Sequence, residues 1–298
     1  MTAPPRPQTG LTLGWITLGV VMLGFLSVFL FGPDPVITDA GEVGDAPALL
    51  DTLTDPPTRR AVEALRAASP ATYAQLRTEA AFALKDGADQ EALANLTLQA
   101  LFGEFQNKAL VFRSARSADY HAIIVELANG LRQLEANDSV WCEGSQIAAY
   151  LAQNESDLVP TLLAEFPYQS PQYDWAMDWM SVILITAKSA QDSPVRNPRP
   201  GFRDETALQQ EGLALGSEQW GLALQIAAFA NSEGTSYAKM EEVVSGMDVC
   251  ALGIAVETVS ERLPDDVRAR IWADLMPEIM IGNTPYVMWR VTDYFFIG

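Results

Sequence analysis

Histidine and cysteine are scarce in this sequence of 298 residues, which has one histidine, His121, and two cysteines, Cys142 and Cys250. Zinc sites draw three or four ligands mainly from these two residue types, and c-type haem attachment needs a Cys-x-x-Cys-His motif that is absent. A Ser-His-Asp triad would have to use His121, which we interpret as an ordinary polar residue on a helix. The sequence therefore predicts a protein without a metal or another cofactor.

Basic residues are also few, with 19 Lys and Arg against 38 Asp and Glu and a net charge of −19. Such a surface repels nucleic acid and anionic lipid headgroups, and it favours basic partners or cations. Nucleic-acid binding requires clustered positive charge, so we exclude that class. A glycine-rich phosphate loop is missing too, because Gly10, Gly14, Gly19 and Gly24 lie in an apolar run without a strand-to-helix context.

Charge is absent from residues 11–31, LTLGWITLGVVMLGFLSVFLF. As a helix this run would be roughly 32 Å long, enough to cross the hydrocarbon core of a bilayer. The alternative is a cleaved signal peptide, whose shorter apolar region precedes a small-x-small cleavage site. Here the apolar run is long and GPDPVITD follows it. We predict an uncleaved transmembrane anchor.

The charges beside the predicted anchor indicate its orientation. The leader, residues 1–10, carries Arg6, whereas the other flank has no basic residue before Arg59. Positive charge stays on the cytoplasmic side of a membrane helix. The sequence thus predicts a cytoplasmic amino terminus and residues 32–298 outside the cytoplasm. In a bacterium this is a single-pass inner-membrane protein with a periplasmic domain.

Small side chains recur along one stripe of the predicted anchor, three or four positions apart. Such a stripe allows another helix to approach closely, which predicts a protein partner or a homodimer formed through the anchor. The alternative is that glycine is simply common in membrane helices. The stripe comprises Gly10, Gly14, Thr17, Val21, Gly24 and Val28.

The rest of the chain predicts an all-α fold, because helical periodicity dominates and no long alternating pattern of strands occurs. Residues 32–56 are acidic and rich in Pro and Gly, and they predict a tether with one short helix around Pro47–Leu53. Residues 57–298 predict a multi-helix globular domain, interrupted by a proline-rich loop at 191–201. Helices are predicted at 57–67, 70–87, 89–108, 117–135, 139–153, 156–166, 171–190, 204–231, 236–246, 248–262, 265–281 and 285–296.

Four landmarks in residues 117–190 recur in the same order in residues 236–298. They pair YHAIIVELANG with YAKMEEVVSG, VWCEGSQIAAYL with VCALGIAVETVS, LLAEFP with IWADLMP, and SPQYDWAMDWM with NTPYVMWRVTDY. Either the matches are accidental in a helical sequence, or they mark an internal duplication. A duplication predicts two similar helical lobes that share a core.

The two cysteines occupy equivalent positions in this comparison. Outside the cytoplasm, two cysteines and no others predict one disulfide, between Cys142 and Cys250. The alternative is a pair of buried free thiols that act as small apolar residues.

The aromatic residues at the ends of the two landmark series have two interpretations. Aromatic stripes on helices usually belong to the core. Alternatively, tryptophan and tyrosine faces above acidic residues form a pocket or partner surface that suits a cationic or sugar ligand. That surface would consist of Trp175, Asp178, Trp179, Trp289, Asp293 and Tyr294. A third option, a membrane-surface patch at 288–298, lacks the usual basic face.

From these features we expect a binding or scaffold protein, an accessory subunit of an envelope or membrane complex, rather than an enzyme. The alternative is a membrane-tethered hydrolase of cell-envelope glycan that uses a pair of carboxylates. Glu126 is a candidate because burial in an apolar helix would raise its pKa. Glu143, beside Cys142 at a predicted helix start, is a second candidate.

Overall fold

The computed structural model describes residues 49–151, 166–219 and 245–281, together with the single positions 164, 221 and 290. Over these residues the fold is all-α and contains no strand, which confirms the predicted class. The helices are α1 (Leu49–Thr52), α2 (Pro56–Ala68), α3 (Pro70–Lys85), α4 (Gln90–Lys108), α5 (Ser117–Ala136), α6 (Gly144–Leu151), α7 (Pro171–Asp192), α8 (Phe202–Glu218), α9 (Val249–Arg262) and α10 (Asp265–Met280). Short 3-10 helices occupy Ala109–Ser114 and Val140–Cys142.

Capping side chains set the beginnings of four helices. The side chains of Asp55, Asp89, Ser170 and Asp248 each accept a hydrogen bond from a backbone N–H in the first turn, at donor–acceptor distances of 2.9–3.1 Å. Such a cap satisfies one of the donors that a helix start leaves unpaired, and it is worth about 1 kcal/mol. Prolines in the first turns of α2, α3 and α7 add a preset φ angle. These local signals explain why the predicted starts of the helices that they cap or open agree with the structure to within two residues.

Helices α5 and α7 pack against each other in the middle of the described domain. On the far side of α7 lies α2, which also contacts α3 and α4, and on the far side of α5 lies α9. Helix α10 packs on the 3-10 helix Ala109–Ser114 and on α5, and α8 packs on α9 and α10. Buried apolar side chains form one continuous cluster from Leu49 to Met280.

The short helix α1 lies within the range predicted for a tether. It coincides with the helix that the sequence predicts around Pro47–Leu53, and Leu49, Leu50 and Leu53 are all buried. These leucines join the continuous apolar cluster, next to α2 and α3. The packed core therefore includes α1.

Two helix predictions are wrong in their extent. The expected helix 139–153 is a 3-10 turn at Val140–Cys142, a break at Glu143 and then α6. Glu143 is extended, with φ −87° and ψ 125°, because it forms an antiparallel bridge with Asp248. The expected helix 204–231 begins at Phe202 and ends at Glu218, where Gln219 leaves the helical region with φ −126° and ψ 71°.

A disulfide joins Cys142 to Cys250, which confirms the predicted bond and excludes free thiols. It connects the 3-10 turn before α6 to the first turn of α9, with the two Cα atoms 4.9 Å apart. Beside it, the Gly144 N–H donates to the Met247 carbonyl at 2.8 Å. The two segments are therefore held together by a covalent bond and by backbone pairing.

Several predictions fall outside the described residues. These are the leader 1–10, the anchor 11–31 with its stripe of small residues, the tether up to residue 48, and the predicted helices 156–166, 236–246 and 285–296 apart from isolated positions. Residues 236–244 and, apart from Arg290, 282–298 of the second proposed repeat are also outside, so the duplication stays a prediction. Within the described ranges, no helix combines the length and the apolarity needed to cross a bilayer.

Candidate functional site

The described residues of the predicted ligand surface lie on α7, where it packs on α5. Trp175 and Trp179, one turn apart, are 3 % and 1 % exposed and stack with their ring centroids 6.3 Å apart. Their indole N–H groups donate to backbone carbonyls of α5, from Trp175 to Glu126 at 2.9 Å and from Trp179 to Ile123 at 3.2 Å. Both rings therefore join the two central helices.

A glycine on α5 makes this close packing possible. A Cβ atom at Gly130 would lie 1.8 Å from Cε2 and 2.1 Å from Nε1 of Trp175, far inside van der Waals contact. Glycine in a helix interior costs roughly 0.5–1 kcal/mol relative to alanine. The indole of Trp175 occupies the space that any larger residue at position 130 would need.

Asp178 lies on the same turn of α7 as these tryptophans, and an arginine of α2 binds its carboxylate. The Nε and Nη2 atoms of Arg60 donate to its two carboxylate oxygens at 2.8 Å each. Such a two-pronged pair fixes geometry as well as charge. Asp178 is thus an ion-paired residue at the edge of the α2–α7 contact.

Further acidic residues surround this pair, and we refer to Asp55, Glu126, Asp174 and Asp178 together as the acidic face. Burial raises the pKa of Asp174, and the nearby charges of Asp55 and Asp178 raise it further, while Arg60 opposes them. The Oδ1 atom of Asp174 is buried and accepts no hydrogen bond from a described residue. The acidic face therefore concentrates negative charge that Arg60 offsets only in part.

At the start of α2, a buried network connects Asp55 with α7. Asp55 accepts hydrogen bonds from the backbone N–H and the hydroxyl of Thr58, and the Thr58 hydroxyl lies 2.6 Å from the Tyr173 hydroxyl. Burial raises the pKa of Tyr173 well above its ordinary range, so it stays neutral. The ring of Tyr168 packs edge-on against Tyr173 with centroids 5.4 Å apart. This network anchors the acidic face to the core.

Glu126 meets the expectation for a partly buried acid. Burial raises its pKa, a hydrogen bond from Asn129 lowers it, and the charge of Asp178 raises it further, with a net upward shift. The second catalytic candidate, Glu143, is exposed at the break between the 3-10 turn and α6. Of these two catalytic candidates, only Glu126 belongs to the acidic face, where it lies near Asp178.

We expect Glu126→Gln to stabilise the protein at neutral pH and to have little effect in acid. A carboxyl whose pKa is raised on folding binds protons better in the folded state, so its contribution to stability falls as pH rises from the ordinary carboxyl pKa through the raised pKa. Glutamine carries no charge at either pH, so E126Q avoids this loss of stability at neutral pH. Urea unfolding of the full chain at pH 4 and pH 7.5 measures the difference.

The control for this prediction is Glu135→Gln, an exposed position on the same helix. It removes the same charge without the burial. Equal effects of E126Q and E135Q at both pH values would show that desolvation of Glu126 does not influence stability.

The one histidine does not form part of a triad in the described structure. His121 lies in α5, and its Nδ1 atom is buried and has no hydrogen-bond partner among the described residues. A catalytic histidine needs an acid at Nδ1 to orient it. The described residues also contain no group of three His, Cys, Asp or Glu side chains placed to hold a metal ion.

Buried carboxylates elsewhere serve in structural pairs. Asp204 accepts from Arg270 at 2.7 Å and 3.0 Å, and Glu257 is paired with Arg132. Glu104 accepts from Ser69 and from Thr72, and the ammonium group of Lys108 is 3.5 Å away. Removing one partner of such a pair leaves an uncompensated buried charge. These acids have a structural explanation and are poor candidates for catalysis.

The other half of the predicted ligand surface lies outside the described residues. Trp289, Asp293 and Tyr294 belong to the range 282–298, of which only Arg290 is described. Arg290 Nε donates to Asp274 of α10 at 2.7 Å. A surface formed jointly by Trp175, Asp178, Trp179, Trp289, Asp293 and Tyr294 therefore stays a prediction.

Sequence reasoning missed Asp55, Asp174 and Arg60 as members of this site. The repeat of aspartate four residues apart in YDWAMDW was a usable signal, because it places Asp174 and Asp178 on one helical face. Arg60 is 118 positions from Asp178, and no local pattern connects them.

Comparisons with known proteins give no further assignment, since no family model, no curated protein and no solved structure matches this chain.

Proposed function

We propose that this chain is a membrane-anchored, extracytoplasmic helical protein that binds partner proteins and acts as a scaffold or accessory subunit of a bacterial envelope or membrane complex. The disulfide between Cys142 and Cys250 carries the proposal, because such bonds form and persist outside the reducing cytosol. The uncharged run at 11–31 supports an anchor at the inner membrane.

The described site favours binding over catalysis. Trp175 and Trp179 are used in packing, Asp178 is used in an ion pair, and His121 has no orienting acid among the described residues. The net charge of −19 instead predicts a charged exterior, and such a surface suits selective association with other proteins. Attachment to the bilayer would raise the local concentration of the domain near membrane partners.

Topology tests the first half of the proposal. A carboxyl-terminal alkaline phosphatase fusion should be active, because that enzyme folds only outside the cytoplasm, and a fluorescent-protein fusion that needs the cytoplasm should stay dark. Alkylation of cells followed by non-reducing electrophoresis should show the oxidised chain. A fluorescent cytoplasmic fusion with both thiols reduced would contradict the proposal.

Association tests the second half. Cross-linking in intact membranes, followed by purification in mild detergent, should retain a defined set of membrane or envelope proteins in constant proportion to the chain. The control is the same chain with a charged residue in the predicted anchor, Val21→Glu. Recovery of the chain without partners under both cross-linked and native conditions would reject the scaffold role.

One observation favours a second candidate, a membrane-tethered glycan hydrolase. Glu126, with its raised pKa, and Asp178, held by two hydrogen bonds from Arg60, resemble the acid and carboxylate of a glycosidase pair. We expect E126Q or D178N to abolish release of soluble sugar from purified envelope glycan if this activity exists, while E135Q retains it. Absence of sugar release by the unaltered chain would reject this candidate.

A further inference from the structure

One short segment of this acidic protein carries only positive charge. Between Asp192 and Asp204 the chain has no acidic residue, and it carries three arginines within VRNPRPGFR, residues 195–203. We refer to residues 195–203 as the basic segment. It links α7 to α8 and enters the first turn of α8.

The three arginines of the basic segment are available for binding. Arg196, Arg199 and Arg203 are all exposed, and none makes a hydrogen bond or an ion pair with a described residue. Most other described arginines are paired with acids, as in Arg60–Asp178 and Arg270–Asp204. The positive charge of the basic segment is therefore not used within the described domain.

The nearest acidic residues on either side of the basic segment are ion-paired within the domain, although Arg270 is shared between Asp204 and Asp266. Asp192 pairs with Lys188, Asp204 pairs with Arg270, and Glu278 lies 3.5 Å from Arg113. At physiological salt, charges further than about 8 Å away are largely screened. A molecule that contacts the basic segment therefore meets three exposed arginine side chains, in spite of the net charge of −19.

The backbone of the basic segment is pinned to the domain. The Val195 N–H donates to the Ser114 carbonyl at 2.8 Å, and the Asn197 side-chain amide donates to the carbonyls of Arg113 and Ala115 at 3.1 Å and 2.8 Å. Prolines at 198 and 200 restrict φ in the stretch that follows these contacts. A pre-ordered binding segment loses less conformational entropy when a partner binds.

Apolar side chains lie beside the arginines. Phe202 is 71 % exposed and Val195 is 40 % exposed. Exposed aromatic side chains together with arginine are typical of protein interfaces. The basic segment thus combines charge with an apolar contact.

Folding of α8 does not explain the arginine at its start. Arg203 is the second residue of α8, where the helix dipole disfavours positive charge. The acids that favour the helix start, Asp204 and Glu205, are buried behind it. An external anionic partner would account for this arrangement.

We propose that the basic segment docks a short acidic stretch of a partner protein, with arginine–carboxylate pairs around a contact between Phe202 and an apolar side chain of the partner. Arginine presents a planar fork that matches a carboxylate. A short stretch contacts this segment alone, whereas an anionic bilayer or a second copy of the chain would also meet the rest of an acidic domain. The proposal names the partner chemistry of the proposed scaffold role, on which it rests.

Fluorescence anisotropy of the detergent-solubilised full chain tests the proposal. The probe is a fluorescein-labelled twelve-residue peptide of glutamate with leucine at every fourth position, and the same peptide with glutamine in place of glutamate is the neutral control. We expect saturable binding of the acidic peptide alone, weakening as salt is raised. Because each exposed charge pair makes a small contribution and three are lost together, R196Q/R199Q/R203Q should weaken binding about tenfold.

The matched control removes three exposed charges elsewhere. R66Q/R77Q/K85Q changes the net charge equally on α2 and α3, at positions that form no ion pair with a described residue. It should change affinity less than twofold, and Phe202→Ser should weaken binding without changing its salt dependence. Equal losses in the two triple variants would reduce the interaction to net charge and overturn the proposal.

The same measurements identify other occupants. Binding of the neutral peptide as tightly as the acidic one would overturn the proposal. Self-association of the unaltered chain in sedimentation, if R196Q/R199Q/R203Q abolishes it, would also overturn the proposal. The occupant of the basic segment would then be a second copy of the chain. Protection of the three arginines from phenylglyoxal by micelles doped with phosphatidylglycerol, but not by the peptide, would assign the segment to lipid. Cross-linking of partners through the predicted anchor does not depend on the basic segment. The scaffold role can therefore be supported or rejected independently of these peptide-binding results.

Discussion

Replacing Cys142 and Cys250 together by alanine should lower the free energy of unfolding by about 4–5 kcal/mol, because the bond closes a loop between residues 108 positions apart. The cross-link removes conformational freedom from the unfolded chain, and longer loops gain more. Urea unfolding of the full chain in detergent, followed by tryptophan fluorescence, measures the loss. A domain of ordinary stability would keep only a small margin after such a change.

Reduction provides the matched comparison for the disulfide. A thiol reductant should destabilise the unaltered chain nearly as much as C142A/C250A does, and it should leave the double variant unchanged. The small difference between the effect of C142A/C250A and the effect of reduction measures lost packing. Cys250 is fully buried, and alanine is smaller than cysteine. A shift below about 1 kcal/mol on full reduction would mean that the pairing of Glu143 with Asp248 suffices to hold the two segments.

Gly130→Ala should destabilise the protein by about 2–3 kcal/mol, although alanine is the better helix former. The new methyl group would lie 1.8 Å from the indole of Trp175, so the ring must move. Moving it breaks the hydrogen bond from Trp175 to the Glu126 carbonyl and disturbs the stack on Trp179. Overpacking and the lost hydrogen bond together exceed the gain in helix propensity.

The chain contains a matched control for this substitution. Gly103, inside α4, has nothing within 4 Å of the position where a Cβ atom would stand. Gly103→Ala should therefore stabilise the protein by about 0.5–1 kcal/mol. Opposite signs at the two positions would demonstrate the contact between α5 and α7. In a Trp175→Phe background, G130A should cost less, as expected for a coupled pair. A stabilising G130A would show that the indole does not fill this space.

The acidic face and the basic segment give one domain two surfaces of opposite sign. Asp55, Asp174, Asp178 and Glu126 gather where α7 meets α2 and α5, while the basic segment follows the carboxyl end of α7. Two such surfaces allow a scaffold to discriminate between partners by charge.

Helix beginnings could be predicted from local sequence, because their causes are local. Asp55, Asp89, Ser170 and Asp248 hydrogen-bond to backbone groups within three residues. The same holds for the proline-rich break after α7, where three prolines interrupt the helical pattern. The buried stripe of α5, which includes Ile123, Leu127 and Leu131, also follows directly from its spacing.

The break at Glu143 in the predicted helix 139–153 could not be foreseen in the same way. Nothing between Val140 and Leu151 forbids a continuous helix, and Glu143 is extended only because Asp248, 105 positions later, pairs with it. Likewise, the sequence shows Asp178 without its partner Arg60, which α2 brings to it. Contacts between distant segments override local helix propensity in such places.

Taken alone, the amino-acid sequence determined the all-α class, most helix starts, the cysteine pair and the strongly acidic surface, because each depends on composition, on spacing or on atoms a few residues apart. Only the tertiary structure decided that Trp175 and Trp179 lie inside against α5, that Gly130 makes room for them, and that the arginines of residues 195–203 are left without acidic partners in the described domain. These properties depend on which distant side chains come into contact, and that is settled by packing of whole helices against one another.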